Sequence, residues 1–478
     1  MKRLLILAFS CITNFSHAAS KPNVIYIIAD DLGYGDLSVY GQTHFKTPNI
    51  DAIAKRGMLF KQHYTGAPVC APARGALMTG LHTGHGAVRG NYEVHPEGQH
   101  PMPADTFTLA QMFKNAGYAT GAFGKWGLGA PGSASEPLKM GFDRFYGFNC
   151  QRMAHHYYPY FLWNDNQREM LWGNFGMETA QYAPDLIQEH ALRFVETNKD
   201  RPFFLYYALI QPHAEMFAPE KYMAKYRGKF PPETPYKGVD SGPDFRSYPY
   251  GSQAEPRAAF AAMVETLDED VGELVAKLEK LGLADNTLVI FTSDNGPHQE
   301  AGHDPDFFNS NGGLRGYKRD LYEGGIRVPM IAAWPGKIAA DSTTDHVSGF
   351  QDVLPTMAQL TGQPTPEGID GVSFLPTLLK EGTQRPHDYL YWEFHELEGR
   401  VAIRKGNWKG VRYGVAKDPN SPLELYDIAK DPSEKNNVAA KNADVVRELD
   451  TLLKGARTVS PVAKFNFPKG PWSPEPDH

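Results

Sequence analysis

An α/β sandwich, with helices on both faces of a mostly parallel sheet, is the architecture this sequence predicts. Two segments carry the expectation. Val24-Ile25-Tyr26-Ile27-Ile28-Ala29 is an apolar run that ends in Asp30-Asp31, and Leu288-Val289-Ile290-Phe291-Thr292 repeats the design ahead of Asp294-Asn295-Gly296. Strands without polar alternation are buried on both faces, as in a parallel sheet. The third observation is the patterning between them. Residues 256–281 place Phe260, Val264, Leu267, Val271, Leu274, Val275 and Leu278 at helical spacing. Strand alternating with helix gives two helical layers around one sheet.

In chain order, Lys2-Arg3, an apolar stretch over 4–15 and Ala18-Ala19 read as an export signal spanning 1–19, so the protein is expected to be periplasmic or secreted. After the first strand, helices are expected over 108–116 and 182–198, and strands over 203–209 and 330–333. Residues 213–256 are rich in Pro, Tyr and Gly and poorly periodic, which predicts a long loop. From residue 384 the texture changes to short strands at 389–392, 401–403, 408–411 and 424–426, then a helix over 443–453. The expected division is therefore a large domain over 20–383 and a smaller C-terminal unit over 384–478, an antiparallel sheet with one helix.

Composition narrows the function. The formal charge is −7, and removal of 1–19 takes away two positive charges, giving −7 − 2 = −9. Such an acidic chain is a poor nonspecific nucleic-acid binder. No stretch is long and apolar enough for stable membrane insertion. An anionic substrate would need local positive charge to overcome the global repulsion. Past residue 19 only Cys70 and Cys150 remain. A disulfide between them would consume Cys70, and both are expected to stay unpaired.

The two strand ends present three carboxylates and an amide: Asp30, Asp31, Asp294 and Asn295. An all-oxygen set suits a hard cation, Ca²⁺ first and Mg²⁺ second. Cys70-Ala71-Pro72-Ala73-Arg74 is the other feature with chemistry in it. Pro72 fits the first turn of a helix running through Leu77, which puts Cys70 at a helix N-terminus, where free N–H groups favour an anion.

This Cys-x-Pro-x-Arg segment resembles the signature of the sulfatases, members of the alkaline-phosphatase-like superfamily, and the chain keeps matching from about residue 22 to 433. Gly124-Lys125-Trp126 is similar to the second signature. Leu314-Arg315-Gly316-Tyr317-Lys318 resembles the later lysine segment, and Gln211-Pro212-His213 the histidine that follows a strand. The resemblance implies an alkaline-phosphatase-like sandwich, one Ca²⁺ held by Asp30, Asp31, residue 70, Asp294 and Asn295, and conversion of Cys70 to formylglycine by a maturation enzyme. It also implies roles. A hydroxyl of the hydrated aldehyde, activated by the metal and Asp294, attacks sulfur; Arg74 holds the diol; Lys125 and Lys318 hold the sulfate oxygens; His213 protonates the leaving oxygen. One departure stands out: the histidine usual two residues after the second-signature lysine is Gly127 here, with His85, His298 and His303 as candidate replacements.

Residues 151–172 mix aromatics with His, Asn, Asp and Arg, which suits stacking on a sugar. His155 and His156 are expected at the substrate rim, with Arg89, Asn91, His298 and His303 as further candidates. With the export signal, the resemblance implies a carbohydrate sulfatase, its sulfated glycan built on galactose-type sugars first and N-acetylglucosamine-type second. The alternatives are a phosphomonoesterase or phosphodiesterase of the same superfamily, and a glycan-binding protein that has lost catalysis.

Overall fold

The computed structural model describes residues 21–468, so the expected export signal lies outside the described residues. Among the described residues eleven strands form the main sheet: β1 (Asn23–Ala29), β2 (Met58–Tyr64), β3 (Ala119–Lys125), β4 (Arg144–Phe148), β5 (Phe161–Asn164), β6 (Gln167–Met170), β7 (Phe203–Ala208), β8 (Thr287–Ser293), β9 (Arg327–Ala333), β10 (Ser342–Thr344) and β11 (Ser348–Gly349). Their spatial order is β10-β2-β9-β8-β1-β7-β3-β4-β5-β6, with β11 also on β2. The centre, β8-β1-β7-β3-β4, is parallel throughout. β9 runs antiparallel between β2 and β8, and β5–β6 is a hairpin on the far edge. The sheet is thus mixed but mostly parallel.

Side-chain alternation along β1 explains why its sequence is apolar at every position. Ile25, Ile27 and Ala29 enter a core shared with the helices Ala183–Thr197 and Pro256–Lys280. Val24, Tyr26 and Ile28 enter the opposite core, under the helices Cys70–Thr79, Leu109–Asn115 and Val353–Thr361. Every residue of the Cys70–Thr79 helix is buried, so it is a core element with no solvent face. Thr108 caps the Leu109 helix by accepting the Gln111 N–H. The loop expected over 213–256 is interrupted by one helix, Glu220–Tyr226. β2, β3, β4 and the β5–β6 hairpin were not anticipated: Ala119-Thr120-Gly121-Ala122-Phe123-Gly124 is too poor in large apolar residues to stand out, and β2 carries Lys61, Gln62 and His63.

The second sheet, β12 (Leu390–Phe394), β13 (Arg400–Lys405), β14 (Trp408–Tyr413) and β15 (Glu424–Asp427), is antiparallel in sequence order and carries the helix Ala443–Gly455. It packs on the main domain through Tyr64, Leu321, Tyr322, Leu390, Trp392 and Tyr426, and Trp392 donates its indole N–H to the Thr65 carbonyl at 2.8 Å. Beneath this contact Lys409, fully buried, lies 2.9 Å from Glu323 and 2.9 Å from Glu434. Among the described residues no helix is long and apolar enough to cross a membrane.

Removing one member of a buried ion network leaves the others uncompensated, so Lys409→Met is expected to lower the stability of the folded chain by about 3 kcal/mol in a denaturant titration. An unchanged midpoint would show that the ion network does not hold the two sheets together.

Candidate active site

Four adjacent parallel strands deliver the site. Asp294 follows β8, Asp30 and Asp31 follow β1, His213 follows β7, and Lys125 is the last residue of β3, all at carboxyl ends, where ligands of open α/β sheets bind. Asp31 sits at φ +64°, a left-handed conformation that Asp tolerates better than most residues, and its N–H donates to Asp294 Oδ1 at 3.0 Å. This bend turns two consecutive carboxylates into the same space.

The carboxylates meet three cations. Arg74 reaches Asp294 Oδ2 through its ε and η2 nitrogens at 3.2 and 2.9 Å. Lys125 Nζ lies 2.5 Å from Asp30 Oδ2, and Lys318 Nζ 2.9 Å from Asp31 Oδ2. Asn295 donates to Asp31 Oδ1 at 2.6 Å, while its own Oδ1 is buried with no hydrogen-bond partner. Burial, then the neighbouring Asp30 charge, pushes the Asp294 carboxyl above its ordinary range. Burial works against the Lys318 ammonium, but Asp31 and Glu300 outweigh it and hold its pKa well above the usual lysine value. Three crowded carboxylates and an unpartnered amide oxygen form a donor set for a hard divalent cation, and Asp30, Asp31, Asp294 and Asn295 would hold it.

Cys70 begins its helix and is 2 % exposed, its thiol donating to Asp30 Oδ1 at 3.3 Å. Burial first, then Asp294 and Asp30, drive its pKa well up, so the unmodified thiol stays protonated and is a poor nucleophile. Cys150 is also buried and free. Asn91 accepts the Ala71 N–H at 3.0 Å and so satisfies one orphan donor of the Cys70 helix. His213 donates from Nδ1 to the Ala214 carbonyl, which leaves Nε2 to accept from Lys318 Nζ at 3.1 Å. Burial, Lys318 and Lys125 lower its pKa well below that of a free imidazole, so the ring is neutral.

A cavity of about 560 Å³ opens over residue 70, and Asn91, His155, His213 and Lys318 line it. His155 stacks on His213 with ring centres 4.5 Å apart. The other candidates do not reach the cavity, although His298 sits behind the site, its ring 6.0 Å from that of His213 and its nitrogen beside Asp31 and Glu300. Arg89 turns to the second sheet, donating to the Thr458 carbonyl at 2.8 Å and approaching Glu393 at 3.5 Å. His156 is buried against Glu215, and His303 is stacked on Phe260 at 3.8 Å. His298 is spent between the Pro212 carbonyl and the Glu300 N–H, and His85 binds Asp370. None of these five lines the cavity.

Gly127 takes a left-handed φ of +71°, and a Cβ there would meet Gln151 Nε2 at 1.8 Å. A side chain there would need this left-handed backbone and would push aside the end of Gln151, which arrives from beyond β4, fills that space and lines the cavity. Gln151 opens the 151–172 segment read as suited to a sugar, but nothing in the sequence singled it out; the sheet order brings it to the site.

The family model described as Sulfatase matches residues 22–363, and that of the N-sulphoglucosamine sulphohydrolase C-terminal region matches 315–458. The chain is 32% identical over 481 residues to arylsulfatase A of Homo sapiens, covering 91% of this chain and 87% of that one. It is 30% identical over 519 residues to the N-acetylgalactosamine-6-O-sulfatase of Bacteroides thetaiotaomicron, covering 92% and 94%. The solved structure of Ps i-CgsB in complex with k-i-k-neocarrahexaose superposes with a TM-score of 0.76 at 29% identity, covering 91% of this chain and 93% of that one.

Calcium is expected to raise the melting temperature of the protein and chelation to lower it. Asn295→Ala should weaken calcium binding by about tenfold or more while preserving the fold. A melting temperature indifferent to calcium would mean that these oxygens do not form a cation site.

Proposed function

The chain belongs to the sulfatase family and is a sulfuric ester hydrolase; we propose that it removes sulfate from a sulfated carbohydrate through a hydrated formylglycine at position 70. The observation that carries this reading is the buried constellation of three carboxylates, the unpartnered Asn295 Oδ1 and three cations around residue 70. A sulfate monoester is an anion that repels nucleophiles, so its site needs positive charge. The three carboxylates balance Arg74, Lys125 and Lys318; a bound divalent cation leaves the site positive and the sulfate welcome. A bound Ca²⁺ would supply that positive charge and sharpen the nucleophilicity of a hydroxyl beside it.

The protein's own residues do the rest. As a protonated thiol, residue 70 has no means of attack, whereas a formylglycine made by a maturation enzyme hydrates to a geminal diol. Asp294, its carboxyl raised by burial, takes the proton as one hydroxyl oxygen bonds to sulfur and the S–O bond to the sugar breaks. The leaving oxygen takes its proton from the Lys318–His213 pair; since His213 Nε2 accepts from Lys318, the proton reaches the pair's shared position from the lysine. The second hydroxyl of the diol then returns a proton to the Lys318–His213 pair, the C=O bond re-forms as the C–O bond to the sulfate breaks, and sulfate leaves. Arg74 keeps Asp294 aligned, and Lys125 is released from Asp30 to face the sulfate oxygens.

A carbohydrate substrate is supported by the cavity, which has room for a sugar ring, by the His155 and Tyr250 rings that line it, and by the relative that is an N-acetylgalactosamine-6-O-sulfatase. That relative also favours galactose-type sugars over glucosamine-type ones. Export through the segment 1–19 would bring the enzyme to such polymers outside the cytoplasm.

Mass spectrometry of the tryptic peptide 62–74 from the natural host should find an aldehyde in place of the thiol. Sulfate release should be fastest from galactose-type sulfates in a panel that includes glucosamine-type and steryl sulfates. Cys70→Ala should abolish turnover with the fold intact, and Lys318→Ala should lower kcat by about 100-fold or more. Full activity of Cys70→Ala, or steryl sulfate as the best substrate, would refute the reading.

A further inference from the structure

Among the described residues, two glutamines in the cavity wall are left with one unpaired atom each. Gln151 is 3 % exposed and Gln99 1 %, and both line the cavity that holds residue 70. The Gln151 amide is oriented by Gly127: its Nε2 donates to the Gly127 carbonyl at 3.3 Å, which leaves Oε1 as a buried acceptor without a partner. Gln99 is oriented by Gln151: its Oε1 accepts the Gln151 backbone N–H at 3.2 Å, which leaves Nε2 as a buried donor without a partner. Neither amide can flip without facing like against like, carbonyl to carbonyl in the first case and N–H to N–H in the second. A buried polar atom left unpaired costs about 1–3 kcal/mol, so two in one cavity wall mark a place built for a ligand group.

The polarity of the pair selects the group. A sulfate oxygen accepts from Gln99 but sets lone pairs against Gln151 Oε1. An ammonium donates to Gln151 but repels the Gln99 amide. A group that is both donor and acceptor does both, and a ring hydroxyl is the one every sugar carries, accepting from Gln99 Nε2 and donating to Gln151 Oε1. Building on the proposed carbohydrate reading, we infer that Gln99 and Gln151 form a specificity subsite that binds one free hydroxyl of the sugar whose sulfate is removed. A second sulfate or an ether at that carbon is disfavoured. Gly127 belongs to the same device, since any side chain there would displace Gln151 from the wall.

The test uses the matured enzyme, its best sugar sulfate, and a series in which each remaining ring hydroxyl is replaced in turn by hydrogen. For the wild type, loss of one particular hydroxyl should lower kcat/KM by about tenfold or more, equivalent to about 1.4 kcal/mol. Gln151→Met keeps the volume and removes the acceptor; it should raise KM for the full substrate more than it lowers kcat, and erase the penalty at that one position. Gln99→Met is a second variant with the same expected pattern, should Gln151→Met fail to fold. Calcium-dependent melting unchanged in the variants shows that the cation site is untouched. A wild-type penalty that survives in the folded variants, or a fall in kcat alone for every member of the series, overturns the subsite. A wild type that desulfates no sugar at all overturns the carbohydrate reading itself, and with it this inference.

Discussion

Three carboxylates and three cations are packed together, out of water, where four parallel strands end. Each ion removed from water costs several kcal/mol unless its partners are held in place, so this cluster constrains everything around it. Arg74 touches Asp294 and lies within 3.5 Å of Asp30, Lys125 holds Asp30, and Lys318 holds Asp31. The balance is between side chains from five separate stretches of chain. A local sequence cannot maintain it; a rigid sheet can.

The surrounding structure reads as support for that cluster. Arg74 is carried on a helix with no exposed face, so its guanidinium cannot retreat to solvent. The Lys318 loop is braced from the second sheet: Arg400 donates to the Arg319 carbonyl at 2.8 Å and pairs with Asp320 at 2.7 Å. Arg89 and Arg457 converge on Glu393, which ties the chain just beyond the Cys70 helix to the same sheet. The smaller sheet therefore acts on the site at a distance, by fixing the loops that present a lysine and a helix.

Much of this could be read in advance, and for a physical reason. Strands buried on both faces show as apolar runs, and their ends show where the runs stop, so Asp30, Asp31, Asp294 and Asn295 were visible from sequence alone. The Cys70 helix was visible because Pro72 fixes where it begins. Lys125 was identified by resemblance, but its strand β3 was not, because small residues pack there against β4 and β7 without leaving a pattern. Arg89, His156, His298 and His303 looked like substrate ligands because polar residues near a motif invite that reading; the fold sends each to a buried partner instead. Gln99 and Gln151 were missed for the converse reason. Their importance lies in atoms left unpaired, and pairing is decided by contacts between the chain just after β4, the loop joining the Cys70 and Leu109 helices, and Gly127, none of which is local.

The most direct measurement is a crystal structure of the matured protein grown with calcium, with anomalous scattering used to locate the ion. The account predicts a single ion within bonding distance of Asp30, Asp31, Asp294 and Asn295 Oδ1, beside an oxidised residue 70, with Lys125 and Lys318 drawn off the carboxylates toward the cavity. An ion bound elsewhere, or acidic side chains still paired with those lysines at saturating calcium, would contradict it.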